Sequence, residues 1–175
     1  MGYAKGLLTG PFLLMLVGCA TASGQGMKAH ADLRDAGGKT VGTAALTERK
    51  EGVEIALKVS GLSPGRHGFH LHEKGLCEPP DFKTAGGHFN PLGKKHGAMN
   101  PEGKHAGDLP NLEARADGTA EVTFVATGTT LRKGPGSLLK EGGTAIVIHA
   151  APDDEMTDPA GNAGARIVCG VVSVE

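Results

Sequence analysis

The chain has 175 residues, enough for one domain with a sizeable core, and its formal net charge is −1 with 21% charged residues. That balance excludes a polybasic surface for nucleic acid or anionic lipid. With no Trp and only 3% aromatics the core must be built from Val, Leu, Ile and Ala beside five Phe, and 29 Gly without a collagen period fit a turn-rich all-β protein.

In chain order, Lys5 precedes an apolar run from Gly6 to Val17 that ends in Leu16-Val17-Gly18-Cys19. The run is too short to span a bilayer and has the layout of a secretory signal. Residues 1–18 therefore read as a signal peptide. The Leu-Val-Gly-Cys end resembles the lipobox of bacterial lipoproteins, with Cys19 as the lipidated first residue. An ordinary signal cleaved near Ala20 to Ser23 is the alternative, and it would discard Cys19. Residues 19–26 form a small, polar tether and residues 27–175 the folded domain. The expected location is the periplasm or cell surface, with membrane contact only through a lipid on Cys19. Export also bears on Cys77 and Cys169: in an oxidising compartment they pair as a disulfide, whereas in the cytosol two separate thiols would be expected.

Lys28–Asp35 and Thr40–Thr47 flank Ala36-Gly37-Gly38 and read as a hairpin. Val53, Ile55, Leu57 and Val59 alternate with Glu54, Ala56 and Lys58, the pattern of a half-buried strand. After the turn at Gly61–Gly65 a strand is expected over His67–His72. Further strands are expected at Leu112–Ala116 and Glu121–Ala126, joined as a tight hairpin at Asp117-Gly118, at Thr144–His149, and at Ile167–Val174, with a helical turn at Ser137–Lys140. Eight short strands and no long helix imply an all-β antiparallel sandwich or flattened barrel.

Six of the eight histidines lie between Gly65 and Asp108. His70 and His72 stand two apart on a strand, so they share a face while Phe69 and Leu71 point into the core. His88, His96, His105 and Asp108 follow in a Gly- and Pro-rich stretch without sustained period from Glu73 to Pro110. Something must order a connection of that length. Imidazoles suit zinc and copper, and three histidines with one carboxylate complete a tetrahedral zinc site.

The stretches His67-Gly68-Phe69-His70-Leu71-His72-Glu73, Gly86-Gly87-His88-Phe89-Asn90-Pro91 and Lys104-His105-Ala106-Gly107-Asp108-Leu109-Pro110-Asn111 stand in order. They are followed by Ala145-Ile146-Val147-Ile148-His149 and by Gly161 to Val171. Together they resemble the copper,zinc superoxide dismutases of bacteria, from about Met27 to Glu175. The resemblance implies an eight-stranded Greek-key barrel with long metal-binding and active-site loops. It implies dismutation of superoxide to oxygen and hydrogen peroxide, with one copper and one zinc per subunit in a homodimer or monomer. Its copper ligands fall on His70, His72, His88 and His149, and its zinc ligands on His88, His96, His105 and Asp108. His88 is thus shared between the ions and serves as ligand and proton carrier. Asp153, or its neighbour Asp154, would link a copper-bound histidine with a zinc-bound one through their free ring N–H groups. Arg166 matches the arginine that attracts and orients the anion. His67 is expected to be a structural support and His30 a surface residue.

The segment Pro152 to Pro159 is acidic and lacks lysine, which predicts repulsion of an anion from that rim. Lys74, Lys94 and Lys95 are the expected source of attraction instead. Two other functions compete with the enzyme. A copper- or zinc-storage protein has no need of Arg166, and metal-assisted hydrolysis needs an open zinc position, which Asp108 fills.

Overall fold

The structure, a computed structural model, describes residues 1–2 and 26–175. The signal run and the tether bearing Cys19 otherwise lie outside the described residues. Ten strands follow in order: β1 Lys28–Asp35, β2 Thr40–Glu48, β3 Gly52–Val59, β4 Gly65–His67, β5 Phe69–His72, β6 Leu112–Ala114, β7 Ala120–Thr127, β8 Ala145–His149, β9 Arg166–Val171 and β10 Ser173–Val174. Eight of them form one antiparallel sheet in the order β5-β8-β9-β1-β2-β3-β7, with β10 also pairing β1, while β4 and β6 form a separate pair. The sheet curls into a nearly closed barrel. The only helical element among the described residues is a single 3-10 turn, Lys83–Ala85.

Alternation fixes the faces. Val53, Ile55, Leu57 and Val59 of β3 are buried and meet Leu33, Leu46, Leu112, Ile146 and Ile148 in the main core. Burying a side chain of this size stabilises the fold by about 1.5–3 kcal/mol. Phe69 joins them, its ring 5.8 Å from that of Phe124. Strand β8 is buried on both faces, which explains its unbroken apolar run. Ile146 and Ile148 face the main core, and Ala145 and Val147 face a smaller cluster with Phe82, Ala85 and Cys169.

Four expectations change. Asp117-Gly118 closes a turn, with Arg115 N–H donating to Thr119 O at 2.8 Å, but β6 and β7 do not pair as a hairpin: β6 pairs with β4 and β7 with β3. The His67–His72 strand divides at Gly68, because His67 pairs with Leu112 of β6 whereas Phe69–His72 pair with β8. Gly68 instead bonds backbone to Ala151 and His149. The last strand breaks at Val172, whose N–H turns to the carbonyl of Thr144 at 3.0 Å and whose side chain enters the core. Ser137–Lys140 is a non-helical turn.

The long connection after β5 is ordered by backbone bonds laid against that strand. Leu71 N–H donates to Gly107 O at 2.9 Å, Phe89 N–H to Leu71 O at 2.8 Å, and Gly107 N–H to Phe89 O at 2.8 Å. A side chain at position 107 would collide with the Leu71 carbonyl and the Phe89 amide, so only glycine permits this approach. The other restraint is the disulfide between Cys77 in this loop and Cys169 in β9, with Cα atoms 5.6 Å apart and a sequence separation of 92. Closing a loop of that length removes about 4–5 kcal/mol of unfolded-state entropy on the chain-entropy account. Replacing both cysteines by serine should therefore lower stability by about 2–4 kcal/mol. In calorimetry this appears as a melting temperature lower by about 5–15 °C. A melting curve unchanged by the double substitution would refute this role.

Candidate metal centre

Strand β5 presents His70 and His72 on its outer face, and β8 delivers His149 at its end, where its N–H donates to Gly68 O at 2.9 Å. The folded-back loop brings His88 beside His72 and Asp108 beside His70 as isolated backbone bridges. Two groups result. His70, His72, His88 and His149 each offer one ligand atom, all within 4.8 Å of one another, and so do His88, His96, His105 and Asp108. All seven residues are buried, and His88 belongs to both groups.

The outward ring nitrogens of the first group are held. His70 Nε2–H donates to Asp153 Oδ2 at 2.5 Å, His72 Nδ1–H to Gly86 O at 3.0 Å and His149 Nδ1–H to Gly164 O at 3.2 Å. A carbonyl or carboxylate oxygen can only accept, so these contacts fix the tautomers. His70 Nδ1, His72 Nε2, His88 Nε2 and His149 Nε2 are left buried with no hydrogen-bond partner. Buried polar atoms are rarely left so, and four converging ones form a set of lone pairs suited to copper. Burial, followed by the neighbouring imidazoles, holds His88 at about 4 and His149 at about 3. Burial and His88 likewise hold His72 well below the ordinary histidine value. At neutral pH these three are unprotonated, as a metal ligand must be.

The second group converges on one carboxylate oxygen. His88 Nδ1, His96 Nδ1 and His105 Nδ1 lie 2.8, 3.2 and 3.1 Å from Asp108 Oδ1. Asp108 Oδ2 accepts the amides of Gly97 and His105, both at 2.9 Å, which aims Oδ1 at the imidazoles. Burial would raise the Asp108 carboxyl, but hydrogen bonds from His88, His96 and the Gly97 amide outweigh it and hold the group far below its usual range. Burial would also lower His96, yet hydrogen bonds to Asp108 and Asp153 lift it to about 9. Three imidazole nitrogens and one carboxylate oxygen around one point fit a tetrahedral zinc ion.

Asp153 joins the two groups. Its Oδ2 accepts from His70, and its Oδ1 lies 3.0 Å from His96 Nε2. Asp154, the alternative for this contact, faces outward and accepts the amides of Met156 and Thr157 at 3.0 and 2.8 Å. Asn111, for which no role is legible in the sequence, clamps Asp153: its Oδ1 accepts the Asp153 amide at 2.7 Å and its Nδ2 donates to the Asp153 carbonyl at 2.9 Å. Arg166 Nη1 and Nη2 donate to the carbonyls of Phe82 and Gly86 at 2.8 and 2.7 Å. Its half-buried guanidinium lines a cleft of about 440 Å³ with Asp81 and Lys83. His67 spans the carbonyls of His149 and Ser63, 2.7 and 2.8 Å from its two ring nitrogens, and His30 is exposed on β1.

The acidic segment differs from its expected part as a repulsive rim. Asp153 faces inward, Asp154 caps its own turn, Glu155 lies 3.7 Å from Arg66, and Asp158 accepts the His96 amide at 2.6 Å and pairs with Lys95 at 3.0 Å. Every carboxylate there has a local partner. The Asp158 pair also offsets the charge of Lys95, which weakens its expected attraction of anions.

The sequence profile of the family described as copper/zinc superoxide dismutase matches residues 40–172. A Cu-Zn superoxide dismutase of Aquifex aeolicus is 51% identical over 170 residues, 96% of this chain and 97% of that one. Among solved structures, a superoxide dismutase-like protein from Bacillus subtilis superposes with a TM-score of 0.79 at 49% identity, over 81% of this chain and 96% of that one. The Cu/Zn superoxide dismutase of Brucella abortus gives a TM-score of 0.65 at 33% identity, over 85% and 99% of the two chains. Family, relatives and paired histidine groups converge: the chain belongs to the copper/zinc superoxide dismutases.

Proposed function

We propose that His70, His72, His88 and His149 hold one copper ion, that His88, His96, His105 and Asp108 hold one zinc ion, and that Arg166 receives the superoxide anion. The reaction of the family turns two superoxide anions and two protons into oxygen and hydrogen peroxide. Copper supplies the one-electron redox couple when bound, and zinc, which has no redox chemistry, supplies fixed positive charge. The observation that carries the reading is the set of four buried nitrogens without hydrogen-bond partners, one of them on the imidazole shared with the second group.

The residues divide the remaining work. Arg166 is pinned through two carbonyls rather than a carboxylate, so its charge remains available to a small anion in the cleft. His88, fixed through Nδ1 by Asp108, holds a proton on Nε2 in one half of the cycle and surrenders it in the other. Asp153 keeps the outward nitrogen of His70 protonated, so that only the inward lone pair is offered. The Cys77–Cys169 disulfide supports a location outside the reducing cytoplasm, and lipidation at Cys19 would anchor the domain there by the tether.

Arg166→Ala should lower the second-order rate of superoxide decay by about tenfold, equivalent to about 1.4 kcal/mol of lost transition-state stabilisation. Copper and zinc contents measured in parallel should be unchanged. Full metal loading with no superoxide decay in the wild-type protein would overturn the reading. Dialysis against a chelator should abolish activity and lower the melting temperature, because ions that bind only the folded state stabilise it by about 4 kcal/mol when present at a thousandfold excess over Kd. A melting temperature indifferent to metal removal would contradict the ligand assignment.

A further inference from the structure

The Gly86–Gly87 peptide sits at a junction. Its carbonyl, on Gly86, accepts from His72 Nδ1 at 3.0 Å and from Arg166 Nη2 at 2.7 Å. Its amide, on Gly87, donates to Glu73 Oε1 at 3.1 Å. A peptide unit is planar and its C=O and N–H point in opposite directions, so rotating one rotates the other. Both flanking residues are glycine, and Gly86 has φ 75°, in the left-handed region. No Cβ resists rotation of this plane, so its orientation must be imposed from outside.

We propose that Glu73 is a positioning residue for dismutation: its carboxylate holds the Gly86–Gly87 peptide so that one carbonyl orients both His72 and Arg166. The proposal rests on His72 as a copper ligand and Arg166 as the anion-binding residue. Glu73 is exposed and could leave its carboxylate in water, yet the side chain folds over the two glycines. A Cβ placed on Gly86 would lie 2.6 Å from Glu73 Oε1 and 2.8 Å from its Cγ, so the carboxylate occupies the space that a side chain would need. The Glu73 amide holds the next peptide, donating to Gly87 O at 2.9 Å, which leaves the Gly86–Gly87 plane to the side chain. A charged acceptor on the amide also polarises the peptide and strengthens the carbonyl as an acceptor at its other end. Without the carboxylate the plane is held only through its carbonyl, so the bonds that orient His72 and Arg166 loosen together.

The test compares Glu73→Ala and Glu73→Gln in the copper- and zinc-loaded protein. Three readouts are taken: superoxide decay, azide affinity of the copper centre by optical titration, and the copper(II) EPR spectrum. Glu73→Ala should weaken azide binding and slow decay by about three- to tenfold, at or below the lower bound of what direct outer partners of metal ligands cost, since Glu73 acts through an intervening peptide. It should also alter the EPR hyperfine splitting. Glu73→Gln, which keeps an acceptor oxygen, should recover most of the loss. In an Arg166→Ala background, the effect of Glu73→Ala on azide affinity should shrink. Unchanged azide affinity and EPR spectrum in Glu73→Ala would overturn the proposal, even with a lower melting temperature. So would a Glu73→Gln protein as impaired as Glu73→Ala. A wild-type protein that fails to take up copper would refute the metal assignment itself, whereas a fully active wild type beside an unaltered Glu73→Ala refutes this proposal alone.

Discussion

The His88 imidazole is the constraint around which the loops are built. Its Nδ1 must meet Asp108 and its Nε2 must face His70, His72 and His149, so its ring plane is fixed from two sides. Satisfying both ends requires the Gly- and Pro-rich connection to return across β5, which the backbone bonds among Leu71, Phe89 and Gly107 accomplish. A buried polar group is costly unless bonded, so each neighbouring nitrogen that does not face a metal position needs its own acceptor. Gly86, Gly164 and Asp153 provide them from three separate loop segments.

The barrel contributes rigidity and the loops contribute chemistry, with few residues doing both. Strand β5 does both along its length, sending Phe69 and Leu71 into the core and His70 and His72 outward, while β8 ends in His149 and β9 begins at Arg166. The pleat that makes the core alternate also places two ligands on one face. The acidic segment after His149 is a second instance of economy. One of its carboxylates links the two histidine groups, another holds the His96 backbone, and the rest close turns or pair locally. A run that looks electrostatically unfavourable for an anion-processing protein is therefore largely spent on its own neighbourhood.

Much of this was legible in the sequence where the determining contacts are local. The period of β3 and the shared face of His70 and His72 follow from side-chain alternation alone, and the β1–β2 hairpin from the glycines of its turn. The division of labour among His88, His96, His105 and Asp108 came only from family resemblance, because no periodicity orders a loop of that kind. The break at Gly68 is not legible in the sequence, because it depends on backbone partners at His149 and Ala151, far along the chain. The Asn111 clamp on Asp153 spans 42 residues and joins two irregular segments, so neither composition nor spacing announces it. The pairing of Lys95 with Asp158 is hidden for the same reason, its partner lying on the other loop.

The placement of β1 has a consequence for how the molecule comes into being. It lies between β2 and the last strands, pairing Ala29 with Val174 at one end and Arg34 with Cys169 at the other. The first strand of the sheet thus waits for β9 and β10, and the cylinder stays unsealed until they have been synthesised. Such long-separation pairing slows folding, because the entropy of bringing distant segments together is lost before the contacts reward it. It also gives the nascent chain an extended interval in which it is still a thread.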